Sequence, residues 1–465
     1  MTSGQWRELV RYGRQLGLVV YPLIQTLGHM QHVLMPDTPL RKLAEAPGDP
    51  YMLCPSKAAT HAFIRDLIRD AYEAFDHPAR IHLGGDECHT IGYCPRCHGH
   101  SPADLLAGYM RRLHEAATSL GMQVEFWADM VLAHPQTLDN LPTDICFVDW
   151  LYTRTCVRGP TLDRCWGYPG ASGPGIAGLT AAQLLDGLPA ALEPMRPFLV
   201  NADNTCNAFY GAHFLKSRGY KVMVASAVRF GGDSYALPRT RTNLLNVGAT
   251  EEAAAELGAD HLVTSWAVRL SHPETTWPGM LSQNTSLDEA TLARVGASIG
   301  GLDSRLLALL DKAQIGLNGA TIILPEQFMR YQRPLYADWL EWVAKIRMEP
   351  DAAARMDAIR QQIKAAAAAQ EILQTRLDGG IGERTVLRHW IIGLRLLHLR
   401  ARQVLAILEP QTNLEASLRQ LIEENHHLMS DFIEVWRDSL APVSLANEVE
   451  IKFRRDIRVL TEILG

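Results

Sequence analysis

The stretch Ile81-His82-Leu83-Gly84-Gly85-Asp86-Glu87 is a short apolar run ending in two glycines and two adjacent carboxylates. Short continuous apolar runs suit strands covered on both faces, as in parallel sheets. The glycines allow the backbone to come close to a neighbour. Successive residues at a strand end point to opposite sides, so Asp86 and Glu87 serve different tasks. In a parallel α/β barrel the C-terminal strand ends form the catalytic face. There, one carboxyl kept protonated acts as an acid, while the other stays ionised and stabilises positive charge. Taken alone, the pair also fits a solvated strand-to-loop junction.

Working outward, comparable runs occur at 18–24, 124–127, 145–150, 221–227 and 262–266. Helical patterns separate them. Ser56 opens a stretch with Ile64, Leu67, Ile68, Ala71 and Phe75 on one face. Ser101-Pro102 opens another, carrying Leu105, Leu106, Tyr109, Met110 and Leu113 and closed by Gly121. This alternation predicts an α/β fold, either a barrel or a doubly wound sheet, over about 1–325. Residues 155–200 include Gly159-Pro160 and a run of small residues from Gly167 to Gly178, read as a loop insertion. From 326 to 465 the β-rich runs stop. Leu387, Trp390, Ile391, Leu394, Leu397, Ala401, Val404 and Leu408 recur at helical spacing. Stretches 340–376 and 413–464 are similar, so an all-α C-terminal domain is expected.

The 465 residues are 47% hydrophobic and 21% charged, which excludes disordered and fibrous classes. A formal charge of -6 argues against a nucleic-acid or anionic-membrane surface. No apolar run reaches transmembrane length, and Met1 to Arg14 has no signal-peptide core. Eight cysteines are too sparse for a disulfide scaffold and fit a reducing compartment. A cytoplasmic location is therefore the expectation.

The other strand ends carry residues suited to a sugar pocket. They are Gln25-Thr26-Leu27-Gly28-His29, Phe126-Trp127-Ala128-Asp129-Met130, Val148-Asp149-Trp150-Leu151-Tyr152, Gly231-Gly232-Asp233-Ser234 and Thr264-Ser265-Trp266. Aromatic faces stack on pyranose rings, and carboxylates or a Tyr hydroxyl take hydroxyl and amide groups. A single Trp here is core; three at strand ends are a pattern.

On these motifs, with Tyr21-Pro22-Leu23-Ile24-Gln25-Thr26-Leu27-Gly28-His29-Met30 and His82 to Glu87, the chain resembles the family 20 glycoside hydrolases. These are β-N-acetylhexosaminidases, and the hexosaminidase D branch is the most similar. The resemblance covers about 3–325 and implies a (β/α)8 TIM-type barrel. It also implies a substrate-assisted retaining mechanism, in which the sugar's 2-acetamido oxygen attacks the anomeric carbon. On that basis Asp86 orients the amide and stabilises its developing charge. Glu87 protonates the leaving oxygen and then deprotonates water. Tyr152 donates to the acetamido oxygen, while Trp127, Trp150 and Trp266 wall the pocket. His29 relays to the carboxylates, and Asp129 and Asp233 bind sugar hydroxyls or brace loops. The resemblance implies a small-molecule or glycan substrate with terminal N-acetylhexosamine, GlcNAc or GalNAc, and no cofactor.

Motif order puts 18–24 on the family's third strand. The barrel is therefore expected to be N-terminally incomplete, holding strands three to eight, after a helix capped by Ser3. The Arg that the family carries on its first strand has no visible counterpart. A late start or a fragment is expected, with a catalytically inactive carbohydrate-binding relative as the alternative. Exposed sheet edges would favour a homo-oligomer. Finally, Cys94-Pro95-Arg96-Cys97 is a zinc-type knuckle, with Cys88, His98 and His100 as further candidate ligands. It lacks a second separated pair, so no metal ligand is assigned. A metal-dependent barrel hydrolase using Asp86, His29 and this loop is a third reading. It ranks last because the strand ends supply aromatic walls rather than a ligand cluster.

Overall fold

The structure is a computed structural model. It describes residues 2–35, 38–46, 48–162, 164–169, 178–230, 236–266, 271–282, 287–315, 347–409 and 413–464. Arg80–His82, Gln123–Trp127, Cys146–Trp150, Lys221–Arg229 and Asp260–Ser265 form one sheet in that sequential order. The first four pair in parallel, with Ile81 beside Val124, Phe126 beside Phe147 and Val148 beside Met223. Sequential parallel neighbours joined through helices are the arrangement of a (β/α) barrel arc. The run at 18–24 joins this sheet by a single parallel bridge, Leu23 to His82. Pro22 has no N–H to offer a ladder, which limits the segment to an edge contact.

Helix Pro102–Thr118 has Ser101 as its N-cap residue and buries Leu106, Tyr109, Met110 and Leu113. Gly121 follows at φ +82°, the left-handed stop expected of glycine. Two cap expectations need correction. Helix Ala58–Ala74 begins after Lys57, while Ser56 accepts a bond from the Cys97 thiol at 3.2 Å. Helix Ser3–Gln15 is capped by Thr2 rather than Ser3, because Thr2 and Gln5 have the spacing of a reciprocal capping box.

Residues 155–200, read as a loop insertion, contain local pairings. Arg158–Gly159 pairs antiparallel with Cys206–Asn207, and Thr161–Leu162 with Leu179–Thr180. A second capping box, Thr180 with Gln183, starts helix Ala181–Asp186. These local hydrogen bonds give the described parts of the segment an order that hydrophobic periodicity does not reveal.

The chain divides into two compact units. The first is Met1–Leu151, Cys156–Ala225 and Glu252–Leu262; the second is Tyr152–Thr155, Ser226–Glu251 and Val263–Gly465. The boundary expected near 325 lies outside the described residues. Within the second unit, helix Arg384–Leu408 packs against Ala352–Asp378 and Leu414–Trp436. All eight apolar positions read from its spacing are buried. The small side chains of Ala365, Ala366 and Ala369 are also buried and allow close helix approach. Among the described residues no helix is long and apolar enough to cross a membrane.

Candidate active site

The carboxylates sit where the strand Arg80–His82 runs out. Leu83 N donates to Glu125 O and Trp127 N to Gly84 O, so pairing with the next strand carries the chain to Gly84. It then turns through Gly84 (φ +63°), Gly85 (φ +87°) and Glu87 (φ +53°). Only glycine fits at 84, where an added Cβ would lie 2.1 Å from Gln25 Oε1. At Gly28 a Cβ would meet the Asp86 carbonyl at 2.3 Å. The two turns therefore pack closely, Gly84 against the Gln25 side chain and Gly28 against the Asp86 backbone. His29 is also left-handed, at φ +56°. For non-glycine residues this costs about 1–2 kcal/mol each and persists only where surrounding contacts over-determine it.

Those contacts converge on one imidazole. His29 Nε2 lies 3.1 Å from Asp86 Oδ2 and 3.2 Å from Glu87 Oε2. The Tyr51 hydroxyl donates to Glu87 Oε2 at 3.3 Å and lies 3.1 Å from His29 Nε2. Asp129 Oδ2 accepts the Glu87 N–H at 2.7 Å, and its Oδ1 accepts the Trp150 indole N–H at 3.4 Å. Asp129 thus ties the strained Glu87 backbone to a neighbouring strand end. Among the described residues Asp86 Oδ1 is buried without a hydrogen-bond partner.

The electrostatics follow from these distances. Burial pulls His29 down, but its bonds to Asp86 and Glu87 outweigh this and raise it from 6.5 to about 10. Burial pushes Glu87 up, yet the His29 bond and charge, with His89 and Arg164 beyond, hold it below its ordinary value. At neutral pH the proton shared by this pair rests on His29. Burial, then the charge of Asp86, raises Asp129 to about 8. Burial pushes His82, whose ring centroid lies 4.3 Å from that of Trp127 at a tilt of 48°, down to about 3, so it stays neutral.

The remaining sites expected from sequence separate by unit. In the first unit, Trp150 packs against Trp166 with ring centroids 4.9 Å apart, and the Arg164 guanidinium lies over both rings. Trp127 is buried against His82. In the second unit, Tyr152 lies 6.4 Å from Trp266 and 6.1 Å from Phe230, ring to ring. Asp233 lies outside the described residues. Tyr51, Arg164 and Trp166 were missed: Tyr51 sits in a connection with no motif, and the other two lie within 155–200. The Tyr-plus-His pairing across 22 residues has no sequence signal at all.

Among the described residues two groups could hold a metal. Cys94 and Cys97 meet Glu45 and Cys54, not Cys88, His98 or His100. The Cys88 sulfur instead faces the Gly85 and Asp86 carbonyls. In the second unit, His272, Glu274 and His389 also converge.

Residues 1–157 match the family model described as Glycosyl hydrolase family 20, catalytic domain. The matched segment is similar to that catalytic domain. It holds His29, Tyr51, Asp86, Glu87, Trp127, Asp129, Trp150 and Tyr152. No curated protein matches the chain. Among solved structures, it is similar to a Flavobacterium johnsoniae chitobiase at 16% identity and TM-score 0.40, covering 91% of this chain and 65% of that one. A β-N-acetylhexosaminidase from Bacteroides fragilis shares 16% identity at TM-score 0.32, covering 51% and 36%. A family 20 exo β-N-acetylglucosaminidase from Vibrio harveyi, in complex with N-acetylglucosamine, shares 12% at TM-score 0.37, covering 60% and 39%. The chain thus spans 36–65% of the length of these three structures.

Proposed function

We propose that the chain is a glycoside hydrolase releasing terminal β-linked N-acetylhexosamine by substrate-assisted retention. The observation that carries this reading is the Asp86-Glu87 pair. Both carboxylates are held by one His29 nitrogen, within a segment that matches the family 20 catalytic domain.

On this reading the 2-acetamido oxygen bonds to the anomeric carbon as the glycosidic C–O bond breaks. Asp86 accepts the amide N–H and stabilises the positive charge of the oxazolinium. Glu87 must bring a proton to the leaving oxygen, yet in the free site that proton sits on His29. Its transfer across 3.2 Å to Glu87 Oε2 arms the acid and leaves a neutral imidazole beside Tyr51. Water then attacks the anomeric carbon and Glu87 takes its proton. The acetamide re-forms, and net retention results. Asp129 acts as a positioning residue for the Glu87 backbone. Trp127 and Trp150 wall the sugar. On this reading Arg164, which lies over the Trp150 and Trp166 rings, takes outer hydroxyls.

The test is hydrolysis of fluorogenic β-GlcNAc and β-GalNAc by the full chain, with Glu87→Gln as the blank. Turnover by wild type alone, inhibited competitively by a thiazoline mimic of the oxazolinium, supports the reading. Sugar binding without turnover overturns it in favour of a carbohydrate-binding relative.

A further inference from the structure

We propose that Cys54, Cys94, Cys97 and Glu45 form a structural zinc site. Cys54 Sγ lies 3.6 Å from Cys94 Sγ and 3.6 Å from Cys97 Sγ. The candidate ligand atoms of all four residues lie within 4.8 Å of one another, and all four residues are buried. A zinc ion with four ligands and Zn–S bonds of about 2.3 Å sets neighbouring sulfurs about 3.8 Å apart. The observed separations match that edge. A disulfide would need one sulfur pair at about 2.05 Å and would leave the third thiol over. Here Cys54 stands equally far from two partners.

The fourth position is the informative one. Glu45 is fully buried, and its Oε1 accepts the backbone N–H groups of Gly92 at 3.0 Å and Cys94 at 3.2 Å. Its Oε2 is buried with no hydrogen-bond partner among the described residues. A carboxylate oxygen stranded beside three sulfurs is costly in a dry interior, and a cation at their centre removes that cost. The local backbone is already shaped for ligation. Cys97 N and His98 N both donate to Cys94 O, which closes the knuckle turn. Glu45 N donates to Met52 O, and an antiparallel bridge joins Ala44 to Leu53. Glu45 and Cys54 thus come as a second pair from one hairpin-like segment. That is the separated pair a lone knuckle lacks.

The position gives the site a purpose. Cys54 follows Tyr51 by three residues, and Cys94 follows Glu87 by seven. Zinc would clip together the two segments whose Tyr51 and Glu87 side chains meet at 3.3 Å. It would do so without a disulfide.

The experiment uses the full chain purified without chelator, with zinc measured by elemental analysis and, after exchange, cobalt(II) as the probe. About one zinc per chain is expected, together with a cobalt spectrum showing thiolate charge-transfer and tetrahedral d–d bands. Cys97→Ser should drop the metal to less than about a tenth of an equivalent, while Cys156→Ser, at an exposed cysteine, keeps it. Glu45→Gln should keep the thiolate bands but bind more weakly. Because the cysteine variant can fail to fold, the wild-type cobalt spectrum decides independently. Folded wild type that takes up neither metal overturns the proposal. So does a Cys54 disulfide to Cys94 or Cys97, or unchanged zinc in folded Cys97→Ser.

Discussion

Two polar clusters draw on the same two stretches of chain, 44–54 and 86–98, with His29 joining the first from a third stretch, and they differ in their access to water. His29, Asp86 and Glu87 keep side-chain exposures of 26%, 12% and 34%. Glu45, Cys54, Cys94 and Cys97 are sealed. Where water enters, acids and an imidazole can exchange one proton among themselves, and their affinities are set by one another. Where water is excluded, a polar atom needs a fixed partner or it destabilises the fold. The first cluster is suited to chemistry and the second to holding segments in place.

The largest expected effect separates those two roles. Glu87→Gln should lower kcat by about 10³-fold while leaving metal content and Tm unchanged, as shown by steady-state kinetics beside calorimetry. A matched fall in Tm would mean that the carboxylate is part of the scaffold. Next, Cys97→Ser should lower Tm by about 10 °C and reduce activity only through the loosened Tyr51–Glu87 contact. Adding zinc should rescue wild-type apoprotein but not the variant. Tyr51→Phe removes one donor to Glu87 and should cost roughly tenfold in kcat, with Tm held. If kcat is unchanged, Tyr51 belongs to the packing and not to the proton path.

The smallest effect is a pH dependence of stability. His29 rises from 6.5 to about 10 on folding. The folded state therefore binds a proton that the unfolded state has released. The stabilisation is fully present below pH 6.5 and is lost as pH rises through about 10. Denaturation of wild type and His29→Gln should give a stability gap that is widest at acid pH and closes by about pH 10. A gap that widens with pH would show that the imidazole is neutral in the folded site.

Much of the sheet was legible because fully covered strands must be continuous apolar runs, and the five runs from 81 to 266 are strands. The exception, 18–24, contains Pro22, whose missing N–H reduces it to one bridge. The helix Arg384–Leu408 was legible for the corresponding reason, a 3.6-residue repeat. In the candidate site, Asp86, Glu87 and His29 were visible because glycines and strand ends mark places of close approach. Tyr51 was not, since a lone Tyr in an irregular connection has no spacing to betray it. Arg164 and Trp166 lie in a segment whose order comes from local turns rather than periodicity. The knuckle at Cys94 and Cys97 could be read, but its partners Glu45 and Cys54 lie at least 40 residues upstream.

The sequence by itself determined the elements, their order and the residue types at each strand end. Those depend on short-range periodicity, caps and glycine placement, all written within a few residues of one another. Only the tertiary structure decided which groups share a proton and which sulfurs share a centre. Those outcomes depend on distances near 3–4 Å between segments 40 or more residues apart, and on how much water each segment lets in. No local pattern encodes either quantity.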